Sequence, residues 1–223
     1  MSKGKLIVLE GIDGSGKSAQ YRRLCARFEQ EGIPYHSIVF PRYDQDSSAL
    51  IRMYLNGDFG ARPSDVSAYA ASIFYAADRY ASYNTDWKDA YLSGGLILSD
   101  RYTTSNAVHQ GAKLPQSEQG AFFDWLYDLE YAKLGLPRPD RVIYLEVDVA
   151  TSMERMRHRQ ERTHTQADIH EKDEEYLEAC LRTGERAAGH YGWQRVAFMK
   201  NGEVRALEEK HEEIYSLVRE AIK

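Results

Sequence analysis

The chain has 223 residues and a formal net charge of −5. That length suits one α/β domain with a sizeable core, and the charge argues against a nucleic-acid binder, whose footprint is basic overall or in a stripe. No apolar run reaches membrane-spanning length, and Met1-Ser2-Lys3-Gly4-Lys5 leads almost at once into a strand pattern, so a cytosolic protein without a signal or transit peptide is expected.

In chain order, the apolar run Leu6–Leu9 predicts a buried strand. Gly11-Ile12-Asp13-Gly14-Ser15-Gly16-Lys17-Ser18 follows it, in the pattern G-x-x-x-x-G-K-[ST]. Glycines let the backbone curl so that its N–H groups face phosphate oxygens. A helix predicted near 17–31 presents its positive end to the same spot. Lys17 can reach the β- and γ-phosphates, and the Ser18 hydroxyl can ligate Mg²⁺. A second strand, Ser37–Phe40, delivers Pro41-Arg42-Tyr43 to the same sheet end; Arg42 there reads as a clamp for a second phosphate group or as an exposed loop arginine.

Helices are predicted near 47–56, 65–83 and 84–93. Tyr75 and Arg79 are spaced i, i+4 on the second of these and share one face. An aromatic plane beside a guanidinium suits a nucleobase pocket, and equally an intramolecular aromatic–arginine pair. Gly94-Gly95 turns the chain into a third strand, Leu96–Ser99, which ends at Asp100-Arg101-Tyr102. Asp100 is placed to hold Mg²⁺ and Arg101 to clamp a phosphoryl group.

Further helices are predicted near 103–110, 117–132, 149–160, 171–188 and 206–221, with strands at Val142–Val147 and Arg195–Met199. The alternation predicts a five-stranded, mostly parallel sheet with helices on both faces, in one domain spanning 1–223. Residues 155–170 are rich in Arg, His, Gln and Thr and nearly free of apolar side chains. They read as a short mobile lid, with Arg155, Arg157, Arg159 and Arg162 available to the phosphates, or as a solvated charged face. Cys25 and Cys180 lie far apart on predicted helices and the seven histidines form no H-E-x-x-H set, which predicts reduced thiols and no structural metal.

Together these motifs resemble the bacterial thymidylate kinase family. The opening pattern LEGxDGSGKS is present as Leu9 to Ser18, the Phe-Pro-Arg segment as Phe40-Pro41-Arg42, the aromatic-to-arginine helix as Tyr75 to Arg79, and DRYxxSNxA as Asp100 to Ala107. The resemblance implies the P-loop NTPase fold, transfer of the γ-phosphate of ATP to dTMP with Mg²⁺, and a homodimer, with helices 47–56 and 65–83 as the expected interface. It implies that Asp13 accepts from the sugar 3′-hydroxyl. Phe40, Arg42, Arg101 and Ser105 belong to the acceptor site; Tyr75 stacks on thymine, Arg79 reads a thymine carbonyl, and Asn106, His109 and Gln110 approach base and sugar. The loop carries no arginine, which implies one supplied from the lid; Arg159 is the expected group, with Arg155 and Arg162 as alternatives.

Four features depart from the family pattern: Tyr75 replaces a usual phenylalanine, the insertion around Tyr83–Tyr91 is longer than in the commonest members, and two more concern the sugar and the lid. His109 stands where many members have a tyrosine that crowds the sugar 2′ position, and Asp168 stands before Ile169 where a lid arginine is usual. Rival readings are a kinase of another nucleotide or of a deoxynucleoside, a P-loop ATPase or switch protein, and a non-catalytic nucleotide-binding protein. Arg42 with Arg101 favours a phosphorylated acceptor, since a nucleoside would leave those charges unpaired.

Overall fold

The computed structural model describes residues 3–163, 169–170, 173–200 and 202–223, with only the backbone of 159, 160, 162 and 163. β1 (Lys5–Glu10) is buried from its second residue onward. It lies at the centre of a sheet ordered β2-β3-β1-β4-β5, whose other strands are β2 (His36–Val39), β3 (Leu96–Asp100), β4 (Arg141–Leu145) and β5 (Gln194–Val196). Every pairing is parallel. Both faces are covered, which is why the central strands read as continuous apolar runs. Ile7, Leu9, Leu98 and Ile143 pack under α1 (Lys17–Gln30) and α8 (Leu207–Ala221) through Tyr21, Leu24, Phe28, Ile214 and Val218. Leu6, Val8, Ile97 and Val142 pack on the other face with Tyr83, Trp87, Tyr91 and Tyr102.

The remaining helices are α2 (Ala49–Asn56), α3 (Ala68–Ser82), α4 (Lys88–Leu92), α5 (Gln116–Tyr127), α6 (Val149–Thr163) and α7 (Glu174–Tyr191). The five expected strands are present with ends shifted by a residue or two, except the last. The run expected over Arg195–Met199 breaks after Val196. Met199–Lys200 (β6) instead pairs antiparallel with Glu203–Val204 (β7) as a separate hairpin. The apolar pattern could not separate these, because a break at Ala197-Phe198 costs no hydrophobic residue. Three expected helices also contain π-helical turns, at Tyr83–Trp87, Asn106–Gln110 and Asp128–Lys133. Such turns are frequent at functional sites because they re-aim side chains, and the second carries three of the expected site residues.

The chain leaves β1 toward β2 on one side, and leaves β3 toward β4 on the other. The carboxyl ends of these adjacent strands therefore form the switch point at which open α/β sheets bind ligands. Gly11–Gly16 and Asp100-Arg101 meet there.

Candidate active site

The loop after β1 needs glycine for local steric reasons. Gly14 has φ 75°, and a Cβ on it would sit 2.3 Å from the Ser152 carbonyl oxygen. Gly16 has φ 88° and is the residue from which α1 starts, with no side-chain cap over the helix N-terminus. A cavity of about 170 Å³ lies over this helix end, lined by loop residues 12–18 together with Arg155 and Met156 of α6. Arg155 donates to the Gly14 carbonyl oxygen at 3.2 Å, and its guanidinium lies 5.0 Å from the Phe198 ring. The Ser152 hydroxyl donates to the Asp13 carbonyl, so the amino-terminal part of α6 is tied to the loop at two points.

Lys17 lies in this site, buried, and its ammonium donates to the Asp100 carboxylate. Burial and the Arg101 guanidinium push its pKa down, against the pull of Asp100 and Glu10. Arg101 adopts φ 69°, a left-handed conformation that is costly for a side chain this large and is found at functional sites. It donates to Asp13 Oδ1 at 2.6 Å, Ser105 Oγ at 3.2 Å, His109 Nε2 at 3.0 Å and Glu10 Oε1 at 3.4 Å. Its pKa is raised, because Asp13 and Glu10 outweigh the cost of burial.

Since an arginine only donates, His109 Nε2 must accept. The proton therefore sits on Nδ1, 3.6 Å from Cys180 Sγ. Burial and Arg101 hold His109 neutral, with a pKa pushed down to about 3. The His170 ring stacks over it at 6.0 Å and shares a hydrogen bond with the Tyr54 hydroxyl at 2.8 Å.

A second group of charges lines the neighbouring helix α3. Arg42 follows the cis Phe40–Pro41 peptide. Its backbone N–H donates to Asp78 Oδ2 at 2.9 Å and its Nε to Asp78 Oδ1 at 3.2 Å. The next residue, Arg79, is 1% exposed and grips Glu130 in a bidentate pair at 2.5 and 2.7 Å. Asn106 Nδ2 also donates to Glu130, at 3.2 Å, and to the Ser72 carbonyl. Gln110 is buried with its Oε1 unpartnered, and Tyr75 is half-buried against the cluster around Ile51 and Tyr54. Phe40 is core, its ring 6.0 Å from Tyr102.

The structure thus gathers Asp13, Lys17, Asp100, Arg101, Ser105 and His109 at one sheet end, with Arg42 held beside them by Asp78 of α3, and Arg79 and Asn106 both bonded to Glu130. Lys17 and Asp100, expected to act on separate partners, bond to each other. Arg79 stands as a fully paired internal cation. The side chains of Arg159 and Arg162, and Asp168, lie outside the described residues. Four residues that partner the expected site residues are not singled out by the sequence. Glu10 is fully buried; it accepts from the Gly11 N–H at 2.9 Å, Thr104 Oγ1 at 2.5 Å and Ser105 Oγ at 2.7 Å, and its place in the strand just before the loop was its signal. Asp78 adjoins Arg79, and Ser152 meets the loop from 139 residues away. Glu130 lies 51 residues from its arginine, with no local pattern to reveal it.

A glycine loop at a helix N-terminus, with a buried lysine beside it at the carboxyl end of a parallel sheet, defines a P-loop NTPase fold. The thymidylate kinase family model matches residues 9–189, and the chain belongs to that family. The chain is 34% identical over 181 residues to a thymidylate kinase of Mycobacterium tuberculosis, covering 80% of this chain and 82% of the relative. It is 32% identical over 188 residues to a probable thymidylate kinase of Thermococcus onnurineus (81% and 84%) and 29% identical over 153 residues to the human thymidylate kinase (69% and 66%). In fold it superposes on a thymidylate kinase of Candida albicans with a TM-score of 0.73, at 20% identity, over 100% of this chain and 96% of that one. Family membership makes it an ATP-using nucleoside-monophosphate kinase. Among the described residues no helix is long and apolar enough to cross a membrane, and both cysteines are free.

Proposed function

We propose that the chain transfers the γ-phosphate of ATP to dTMP, and that the roles divide along the two groups of charges. The observation that carries this is the Arg101 network, which bridges the donor loop, through Asp13 and Glu10, to the helix bearing Ser105 and His109. In this reading Gly11–Ser18 cradles the ATP phosphates and Lys17 exchanges Asp100 for the β/γ-oxygens. Arg42 and Arg101 hold the acceptor phosphate. Tyr75 stacks on the base, Arg79, Asn106 and Gln110 define its edge, and Asp13 and His109 meet the sugar. Phosphoryl transfer needs alignment and charge neutralisation more than covalent help. Four cationic side chains around one sheet end, counting Arg155, supply the neutralisation.

Ser18 and Asp100 offer one hydroxyl and one carboxylate oxygen, hard donors that suit Mg²⁺. Among the described residues no group of three or more His, Cys, Asp or Glu could hold a metal unaided. A Mg²⁺ would therefore take its other ligands from phosphate and water, and would supply charge neutralisation at the β/γ-oxygens. We assign the arginine at the transferring group to Arg155 or Arg159, one turn apart on α6, within a closing segment 155–170 of a single domain.

A homodimer through α2 and α3 belongs to the same proposal. Leu50, Met53, Tyr69, Ile73 and Tyr80 are exposed large apolar residues on these two adjacent helices. Tyr69, Ile73 and Tyr80 recur at helical spacing, forming an outward stripe of the kind found at interfaces. Ile73→Glu should shift the sedimentation profile from dimer to monomer; an unchanged profile would remove this interface.

The decisive test is ATP consumption against a panel of nucleoside monophosphates, in parent and Arg42→Ala. Consumption should require dTMP, and Arg42→Ala should raise the KM for dTMP at least about tenfold, as expected for a lost charge-assisted bidentate contact, while the KM for ATP moves little. ATP turnover without acceptor, or equal losses for both substrates, would overturn the assignment.

A further inference from the structure

A second cavity lies outside the phosphate loop. A pocket of about 370 Å³ opens between the π-helical turn after α5 and the carboxyl end of α7, against the first residues of β4 and β5. It faces the amino ends of those strands and reaches toward the switch point only at Thr103 and Thr104. Its volume falls within the range of small-molecule sites.

The walls have specific chemistry. On one side Tyr191 and Trp193 stack with centroids 5.6 Å apart and planes 14° from parallel. On the other, Tyr127 and Tyr131 meet edge to face at 5.0 Å. Arg138 and Arg141 also line it. Arg138 is exposed, with its guanidinium 5.0 Å from the Tyr127 ring. Among the described residues neither arginine makes an ion pair, and Arg141 makes no side-chain hydrogen bond. The acid next to them, Asp140, is already committed: one carboxylate oxygen accepts from Lys5 Nζ and the other from the Leu6 N–H, each at 2.9 Å. In a chain of net charge −5, two guanidiniums on the wall of an aromatic pocket, without counter-charges among the described residues, are a local reversal that folding alone does not require. Aromatic faces take planar rings, and a pair of arginines takes phosphate.

We propose that this pocket is a second nucleotide site: the base slots between the Tyr191–Trp193 and Tyr127–Tyr131 walls, and Arg138 and Arg141 hold the phosphates. Thr103 and Thr104 also line the pocket. The Thr104 hydroxyl donates to Glu10, and Tyr131 adjoins Glu130, which holds Arg79. The second site therefore shares a wall with the acceptor network without using any of its charges.

The test fills the transfer centre first. With the enzyme saturated by a bisubstrate analogue joining adenosine and thymidine through five phosphates, ADP, GMP and dTTP are titrated separately by calorimetry. The expected result is one further equivalent per chain for at least one of them, with a Kd that rises at least about tenfold in R138A/R141Q. That double variant should keep the parent turnover and melting temperature. If it does not fold, the exposed single variant R138A serves, with a weakening of at least about threefold expected. No further binding by any of the three up to about 5 mM, or affinity unchanged in the arginine variants, would overturn the proposal. Because the transfer centre is occupied throughout, neither outcome depends on the acceptor assignment.

Discussion

Replacing Glu130 with alanine should destabilise the protein heavily, although Glu130 lies in none of the sequence motifs. The parent pair is fully buried: Glu130 is 0% exposed and Arg79 1%. Burial by itself would lower the Arg79 pKa, but the Glu130 carboxylate outweighs it and the net shift is upward. Glu130→Ala leaves the guanidinium inside the protein with one weak contact, 3.4 Å to the Tyr102 carbonyl, and removes one of the two acceptors of Asn106. Breaking a buried pair from one side costs about 3–5 kcal/mol. In a domain of this size each kcal/mol moves the melting temperature by about 2–4 °C, so scanning calorimetry should show a fall of about 6–20 °C.

The double variant Arg79→Met/Glu130→Leu removes both charges and should recover most of that loss, to within about 1 kcal/mol of the parent. Its KM for dTMP should stay raised, because the base-edge donor is gone. This split matters, since it separates Arg79 as an internal cation from Arg79 as a reader of the base. A Glu130→Ala melting temperature within about 2 °C of the parent would refute the reasoning, and so would recovery of dTMP affinity in the double variant.

Two further outcomes concern the donor side and pH. Lys17→Met removes the one cation of the Gly11–Ser18 loop and should lower kcat by about 10²–10³-fold with far-ultraviolet circular dichroism unchanged; near-parental single-turnover rates would remove Lys17 from the chemistry. His109, with a pKa near 3, and His170, held well below its ordinary value by burial and by His109, both bind protons less readily in the folded than in the unfolded chain. The unfolded state therefore takes up more protons below about pH 6.5, and stability falls with pH there. Between about pH 6.5 and 5 ordinary carboxylates stay ionised, so the decline in urea midpoint over that interval reports the histidines. His109→Gln/His170→Gln should reduce it, leaving the share of His211, whose pKa burial also lowers, and an undiminished slope would exclude His109 and His170 as a source.

The phosphate loop was legible from local sequence. A phosphate loop is local: a buried strand, glycines that permit the turn and a helix N-terminus all fall within some twenty consecutive residues, and their physics needs no partner from elsewhere. The parallel sheet was legible for a related reason, since a strand covered on both faces must be apolar at every position, and Leu6–Leu9 is. What the sequence could not settle was which charge answers which. Lys17 meets Asp100 across 83 residues, and Arg79 meets Glu130 across 51. Neither pairing follows from helical or strand periodicity, because each depends on how β3 and the segment after α5 are laid against the rest. Only the tertiary structure turned Glu10 from the last residue of a strand into the anchor of Arg101, Thr104 and Ser105, and divided the last expected strand into β5 and a separate hairpin. The physical reason is the same throughout: backbone propensity and apolar period are short-range, whereas a buried charge is tolerable only where the fold brings it a partner.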